Sequence, residues 1–258
     1  MPRASSIRFT YGVPPIPVRF LERPNRYLAI VEPIAGGARF EAHVPNPGRM
    51  EELLVPMDTN GWVVASGGPT RRTAYDLVAV RHGRAIASID TRIGNRLIAR
   101  ALDAGAIPTL PRGLWRAEVP RGAHRFDFAL NDPDSGRITH LVEVKCSNLR
   151  VGRAAYFPDA PTLRGRLQLL ALAAAIRRGM KATVLFVVQR PDVVALRPNR
   201  ALDPEFGRAM DRAGRAGVRF LAYRIWVGPG EVAIDRRIPV DLRTSTKAFS
   251  SAPVINSG

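Results

Sequence analysis

Hydrophobic and polar positions divide the chain into two regions with different patterns. Over residues 16–87, short runs of β-branched and aromatic residues alternate with turns rich in glycine, proline and asparagine. This pattern predicts strands over residues 27–32, 38–44, 61–65 and 74–81. Short strands at this spacing, without a long helix between them, indicate a small β-barrel or sandwich.

The region that follows mixes strands with helices. Apolar stripes predict helices over residues 94–104 and 162–178, and a third helix that opens at Asp203. Thr162 and Asp203 are expected to cap their helices, and Gly179 to end the second one. The fully apolar run over 182–188 is typical of a buried strand, and residues 218–227 are predicted to form a further strand. The strand–helix–strand–helix–strand order predicts an α/β sheet with crossover helices.

These patterns define the expected organisation of the chain. We expect a β domain over residues 16–87 and an α/β domain over residues 88–242. The terminal stretches 1–15 and 243–258 are polar or rich in Pro, Ser and Thr, and we expect both to be disordered tails.

Two apolar segments of the second region carry acidic residues. Asp127 lies within Arg125–Phe126–Asp127–Phe128, and Glu143 and Lys145 lie within the strand-like run 141–146. Side chains alternate along a strand, so Glu143 and Lys145 share a face, and Asp127 is expected to lie opposite its two phenylalanines. If the segments pair as a hairpin, all three polar side chains can meet on one face.

Two carboxylates and a lysine in this arrangement suit phosphodiester chemistry. Asp127 and Glu143 would bind Mg²⁺ or Mn²⁺, which prefer oxygen ligands. Lys145 would orient a water molecule or stabilise charge that develops on a phosphate. The alternative interpretation is an ordinary Glu–Lys pair on a solvated sheet face beside an unrelated aspartate, since the pattern is short and common.

The charge of the chain changes the picture of its partners. The 258 residues carry a net charge of +17, and arginine supplies all but three of the 39 basic residues. Such an excess favours a polyanionic partner, most simply a nucleic acid. Cys146 is the only cysteine, which excludes an internal disulfide and a cysteine-based zinc site. No apolar run reaches the length of a membrane span, so we expect a cytoplasmic protein without a membrane partner.

Two groups of arginines are candidates for phosphate contacts. The first surrounds the acidic strands and consists of Arg150, Arg153, Arg164 and Arg166. For Arg164 and Arg166 the alternative is solvation or pairing with Asp159. The second group, Arg49, Arg71 and Arg72, lies in the β domain and could form a patch that binds single strands, although no row of stacking aromatics is visible in the sequence.

The chain as a whole resembles the sugar fermentation stimulation protein (SfsA) family. The resemblance covers residues 18–225 and rests on the segments 19–27, 43–50, 125–128, 143–145, 156–160, 164–165 and 188–190. It implies an OB-like N-terminal barrel followed by an α/β domain of the PD-(D/E)XK nuclease type with a central mixed sheet. In that domain Asp127 is the metal-binding aspartate, and Glu143 and Lys145 form the E-x-K element. It also implies DNA binding and a regulatory role in sugar (maltose) metabolism.

The sequence departs from that family at two positions that matter for catalysis. The helix that begins near Gly94 carries Asn95 and Arg100 but no acid over residues 94–100, so a third metal carboxylate is absent there, and Gln168 replaces a histidine of the long helix. Three functions therefore remain open. They are a DNA-binding regulatory protein, a Mg²⁺-dependent DNA endonuclease that uses Asp127, Glu143 and Lys145, and an RNA-binding factor.

Overall fold

A computed structural model describes residues 7–68 and 71–243. Within these ranges a barrel is followed by a larger α/β unit. The strands before the first helix are β1 (Arg8–Thr10), β2 (Ile16–Asn25), β3 (Leu28–Pro33), β4 (Phe40–His43), β5 (Asn60–Ala65), β6 (Tyr75–His82) and β7 (Ala85–Ser88). The elements that follow are α1 (Arg92–Asp103), β8 (Trp115–Arg121), β9 (His124–Asn131), β10 (Ile138–Ser147), β11 (Arg150–Val151), β12 (Ala154–Phe157), α2 (Leu163–Arg177), β13 (Lys181–Val188), β14 (Ala195–Pro198), α3 (Pro204–Arg215), β15 (Arg219–Val227) and β16 (Glu231–Ile238).

The first unit is a closed five-stranded barrel of the OB type, as predicted. β2, β3 and β4 form an antiparallel meander, and β5 lies between β2 and β6. A parallel pairing between His43 of β4 and Asp76 of β6 closes the barrel. The four predicted strands correspond to β3–β6. β2 was not predicted individually because only Val18 and Phe20 of its ten residues are buried.

The second unit contains the predicted mixed sheet. Its seven strands run in the order β1–β16–β15–β13–β10–β9–β8, and β10, β13 and β15 are parallel. Helices α2 and α3 make the two crossovers, as expected from the order of elements. β11, β12 and β14 form a separate three-stranded sheet within these crossovers, which the sequence pattern did not indicate.

The prediction of a disordered tail over residues 1–15 is wrong for residues 7–15. β1 pairs with β16, so this segment extends the sheet of the second unit. Ile7 is buried, and the Tyr11 hydroxyl donates a 3.3 Å hydrogen bond to Asp90. Three strand residues give too short a pattern to detect, and their partner lies more than 200 positions away in the chain. Residues 1–6 and 244–258 lie outside the described residues.

The predicted helix caps of α2 and α3 are present. The Thr162 hydroxyl accepts from the backbone N–H of Gly165 at 3.0 Å. One carboxylate oxygen of Asp203 accepts from Phe206 N at 2.9 Å, and the other accepts from Thr162 N at 2.8 Å. Asp203 therefore joins the starts of both helices and holds the first turn of α2 in place.

The barrel packs against the α/β unit through polar contacts as well as apolar ones. The Thr91 hydroxyl donates to the carbonyl of Pro45 at 2.9 Å, and the side-chain amide of Gln189 donates to the carbonyl of Asp90 at 2.7 Å. Arg190 is fully buried and donates to the carbonyl of Asn148 at 2.9 Å. The first contact holds the loop after β4 against the start of α1, and the other two join the end of β13 to the segment before α1 and to the end of β10. Among the described residues, no helix is long and apolar enough to cross a membrane.

Candidate metal and nucleic-acid site

A cavity of about 420 Å³ lies where the two units meet. β9 and β10 form its floor, α1 and α2 supply its sides, and the loop after β4 covers one edge. The side chains that line it include Asn95, Asp127, Glu143, Lys145 and Arg164. The two predicted metal ligands, Asp127 and Glu143, and the predicted catalytic Lys145 therefore lie in one cavity.

Asp127 is held by two donors. Its Oδ2 accepts from the backbone N–H of Val144 at 2.7 Å, and its Oδ1 accepts from the side-chain amide of Asn95 at 2.8 Å. The carboxylate thus accepts a hydrogen bond from a backbone N–H of β10. This N–H lies just beyond Phe128 and Val142, where the regular pairing of β9 with β10 ends. Asp127 is oriented by both the sheet and α1.

The strand around Asp127 is less regular than the sequence predicted. Phe126 packs in the apolar cluster beneath α2 and α3, whereas Phe128 packs in the cluster beneath α1. The expectation that Asp127 lies opposite both phenylalanines is therefore wrong. The physical reason is that the pairing of β9 with β10 ends at Phe128. Beyond that point the strand can turn, so that two residues two positions apart face different sides of the sheet.

Glu143 and Lys145 share a face of β10, as alternation predicted. Lys145 Nζ donates to Glu143 Oε1 at 2.6 Å and to the side-chain oxygen of Gln168 on α2 at 2.7 Å. Glu143 and Gln168 are each 3% exposed. The alternative interpretation, an ordinary pair on a solvated sheet face, does not hold, because the pair lies in the interior of the fold.

Burial raises the pKa of Glu143 to about 7, and Asp127 adds to the rise while Lys145 opposes it. Between about pH 4.5 and 7 the folded protein keeps the carboxyl proton of Glu143, whereas the unfolded chain loses it. The free energy of unfolding therefore falls as the pH rises through this range. A positive charge placed beside the carboxylate would favour its ionised form and remove this cost.

The two carboxylate oxygens of Glu143 differ in their partners. Within the ranges 7–68 and 71–243, no group donates a hydrogen bond to Glu143 Oε2, although the atom is buried. Buried acceptors are normally satisfied, and this oxygen lies in the cavity, where a water molecule or a cation can reach it. Asp127 and Glu143 supply two carboxylates, the number with which proteins commonly bind Mg²⁺ while it keeps several waters.

Of the arginines predicted near this site, some line the cavity and others lie away from it. Arg164, in the first turn of α2, lines the cavity. Arg166 instead lies near Glu205 on α3, and its positive charge helps to lower the pKa of that carboxyl. Asp159 does not pair with either of them. Its carboxyl has a pKa raised by burial, and the arginines that counter this rise are Arg23 and Arg49.

The remaining predicted arginines lie elsewhere. Arg150 forms a 3.3 Å ion pair with Asp192, and Arg153 is exposed on the turn between β11 and β12. Arg49 lines a separate cavity of about 320 Å³ between the barrel and the α/β unit. Arg71 and Arg72 line a groove on the barrel, so the three arginines of the barrel do not form a single patch.

Sequence reasoning missed two contributors to the site. The sequence analysis considered Asn95 only because an acid is absent at this part of the helix. Its position in the first turn of α1 could have indicated that its side-chain amide takes part in the site. The loop 45–48 was interpreted as a plain tight turn. In the structure the Asn46 side chain accepts from Gly48 N at 2.8 Å, and a Cβ on Gly48 would lie 1.8 Å from Asp159 Oδ2. The turn therefore packs closely enough to require glycine.

Comparison with known protein families agrees with this architecture. Residues 21–89 match the family model described as the SfsA N-terminal OB domain. Residues 92–231 match the model described as the sugar fermentation stimulation protein RE domain. The boundary between the two matches lies between the barrel and α1.

Full-length relatives show the same relationship. The sugar fermentation stimulation protein homolog of Moorella thermoacetica is 39% identical over 88% of this chain and 97% of its own length. The homolog of Chloroflexus aggregans is 38% identical over 93% of this chain and 90% of its own length. A solved structure of Pyrococcus furiosus SfsA in complex with Ca²⁺ superposes on this chain with a TM-score of 0.80 and 27% sequence identity. The superposition covers 90% of this chain and 98% of the Pyrococcus furiosus chain. The chain belongs to the sugar fermentation stimulation protein family.

Proposed function

We propose that this protein binds DNA and holds a divalent cation, Mg²⁺ or Mn²⁺, between Asp127 and Glu143. The observation that carries the proposal is the buried Glu143 Oε2, which has no donor within the described residues and lies in the same cavity as Asp127. A cation there would be bound by an oxygen of each carboxylate. The Pyrococcus furiosus relative was solved as a complex with Ca²⁺, which supports a hard cation in this fold, since Ca²⁺ and Mg²⁺ both prefer oxygen ligands.

The protein groups around the cavity suit a phosphate backbone. Arg164 is exposed at the first turn of α2, where the helix N-terminus also favours an anion. The net charge of +17 would draw DNA to the surface from a distance. No helix-turn-helix was identified in the sequence, so we expect contacts to the backbone rather than to base edges.

A second candidate function is phosphodiester hydrolysis by a nuclease-like site. The observation that favours it is the position of Lys145 between Glu143 and Gln168, which fixes its ammonium group in the cavity. From there it could donate a hydrogen bond to a phosphate oxygen as charge develops in the transition state. A bound cation would add polarisation of the phosphoryl group and acidify a water molecule.

The regulatory role in sugar (maltose) metabolism is part of the proposal and depends on different support. It comes from the family resemblance and from the name that the relatives share.

Cation binding is tested by titrating the full chain with Mn²⁺ and following the free ion by electron paramagnetic resonance. We expect one site that is weakened at least tenfold by Asp127→Asn and by Glu143→Gln. The matched control is Asp58→Asn, because Asp58 is an exposed acid on a barrel turn. Equal affinity in all four proteins would overturn the site.

Cleavage is tested separately with plasmid DNA and Mn²⁺. If the second candidate is right, the wild type nicks the plasmid, Asp127→Ala and Lys145→Met lose that activity, and Lys145→Met still binds DNA. Binding without metal-dependent cleavage would support the DNA-binding function alone. Binding of duplex DNA and of RNA is compared over the same salt series, and the partner is the polymer that binds more tightly at physiological salt. A shallow slope for both would count against phosphate contacts altogether.

A further inference from the structure

The barrel carries a groove that the cation site does not use. It has a volume of about 630 Å³ and lies on the outer face of β3 and β4, between the β2–β3 turn and the segment that leads into β6. β3 and β4 are the second and third strands of the five-stranded barrel. OB-fold barrels bind oligonucleotides on this face and with these two connections.

An exposed aromatic pair lies along one wall of the groove. The rings of Tyr27 and His43 are stacked at 6.2 Å with an interplanar angle of 12°, and Tyr27 is 54% exposed. Pairing of Leu28 with His43 sets the imidazole on the outer face of the barrel. The backbone N–H of Tyr27 donates to the Asn25 side chain at 2.9 Å, which holds the turn. A flat ring held in this way can stack on a nucleobase.

Charge in the groove is arranged to separate bases from phosphates. Arg71 and Arg72 line the side that leads into β6, and Arg71 is anchored there by an ion pair with Asp76. Glu41, on β4, lies in the same groove and would repel a phosphate. A strand in the groove would therefore place its backbone towards the arginines and its bases towards Tyr27 and His43.

A short segment of the chain connects this groove to the cavity that contains Asp127 and Glu143, here called the acidic cavity. β4 ends at His43, and three residues further on Asn46, Pro47 and Gly48 line the cavity that contains Asp127. The Pro45 carbonyl is held by Thr91 at the start of α1. One short segment thus has its first residue in the groove and its last residues at the candidate cation site.

We propose that the β3–β4 groove binds single-stranded DNA, with Tyr27 and His43 stacking on a base and Arg71 and Arg72 contacting phosphates. The DNA that reaches the acidic cavity is then a single strand or the single-stranded extension of a duplex. This inference rests on the proposed function, because it names the form of DNA that the same protein binds. Duplex bases are already stacked on each other and are not available to the rings.

The test measures binding of a short single strand that contains 2-aminopurine, with the full chain in a chelator so that no cation is needed. Tyr27→Ala should weaken binding by about 5- to 100-fold and remove the fluorescence quenching caused by stacking. Tyr27→Trp should keep both. The matched control is Ile34→Ala, which removes an exposed apolar side chain of the same barrel, and should bind as the wild type does.

Three results would overturn the proposal. They are equal binding by Tyr27→Ala and Ile34→Ala, tighter binding of a blunt duplex than of the single strand, and binding of single-stranded RNA but not of DNA. Thermal unfolding of each variant confirms that the barrel is intact. Since the experiment contains chelator, loss of the groove is distinguished from loss of the cation site, which Mn²⁺ titration reports independently.

Discussion

The side-chain amide of Asn95 donates a 2.8 Å hydrogen bond to Oδ1 of Asp127. Asn95 lies on α1, and Asp127 lies on β9, 32 positions further along the chain. The contact places a neutral donor where the resemblance led us to look for a third carboxylate. Asn95 therefore orients Asp127 and leaves the candidate site with two acids.

Asn95→Asp should convert the site to three acids. The new carboxylate would repel Asp127 in the absence of metal and attract a cation when one is present, by about 1 kcal/mol or more for charges a few ångströms apart. We expect Mn²⁺ to bind about fivefold or more tightly, and the protein without metal to be less stable to urea. Calorimetric titration measures the first effect. Asn95→Ala is the control, since it removes the hydrogen bond without adding charge and should not tighten binding.

The contact between α1 and β10 depends on a glycine. A Cβ on Gly94 would lie 2.3 Å from the sulfur of Cys146. Gly94→Ala should therefore lower the free energy of unfolding by about 1–3 kcal/mol, as overpacked cores do. The measurement is urea denaturation followed by circular dichroism.

The same pair provides an internal control. In a Cys146→Ala background the sulfur is gone, and the other neighbours of the new Cβ lie at 3.5 Å or more. There Gly94→Ala should be neutral or stabilising by up to about 1 kcal/mol, the usual helix preference for alanine over glycine. An equal loss of stability in both backgrounds would contradict the explanation by the sulfur contact.

Arg164 should contribute one phosphate contact to DNA binding. Arg164→Ala is expected to reduce the slope of log affinity against log salt on single-stranded DNA by about 0.7. Arg177→Ala, at the far end of the same helix, serves as the control for a change of net charge. Equal slopes for the two variants would place the phosphate contacts outside the cavity.

His140 should make stability depend on pH. Burial lowers its pKa to about 4, and its Nε2 shares a 2.9 Å hydrogen bond with the Thr183 hydroxyl. Because the unfolded chain binds the proton more readily, the stability from this group is complete above about pH 6.5 and is lost as pH falls towards 4.

The measurement compares unfolding free energies of the wild type and His140→Gln at several pH values. The glutamine cannot titrate, so the difference between the two proteins should shrink by about 2 kcal/mol between pH 7 and pH 4. His124→Gln is the control, since His124 is only half-buried. A difference that stays constant with pH would contradict the assignment to His140.

Local chemistry in the sequence determined most of the elements. The caps at Thr162 and Asp203, the strand runs and the alternation of Glu143 and Lys145 depend on neighbours a few positions away, and the structure confirms them. The mixed sheet also followed, because parallel strands joined by helices allow few arrangements. The same reasoning failed for β1, whose partner β16 is remote in the chain.

Only the tertiary structure decided how the candidate site is completed. Asn95 and Gln168 meet Asp127 and Lys145 across elements that are far apart in sequence, and no local pattern records such distances. The position of Tyr27 beside His43 depends likewise on the register of β3 and β4. The sequence by itself determined which residues carry charge and where strands and helices begin. Packing between elements decided which charges are buried together, because desolvation and contact exist only once those elements meet.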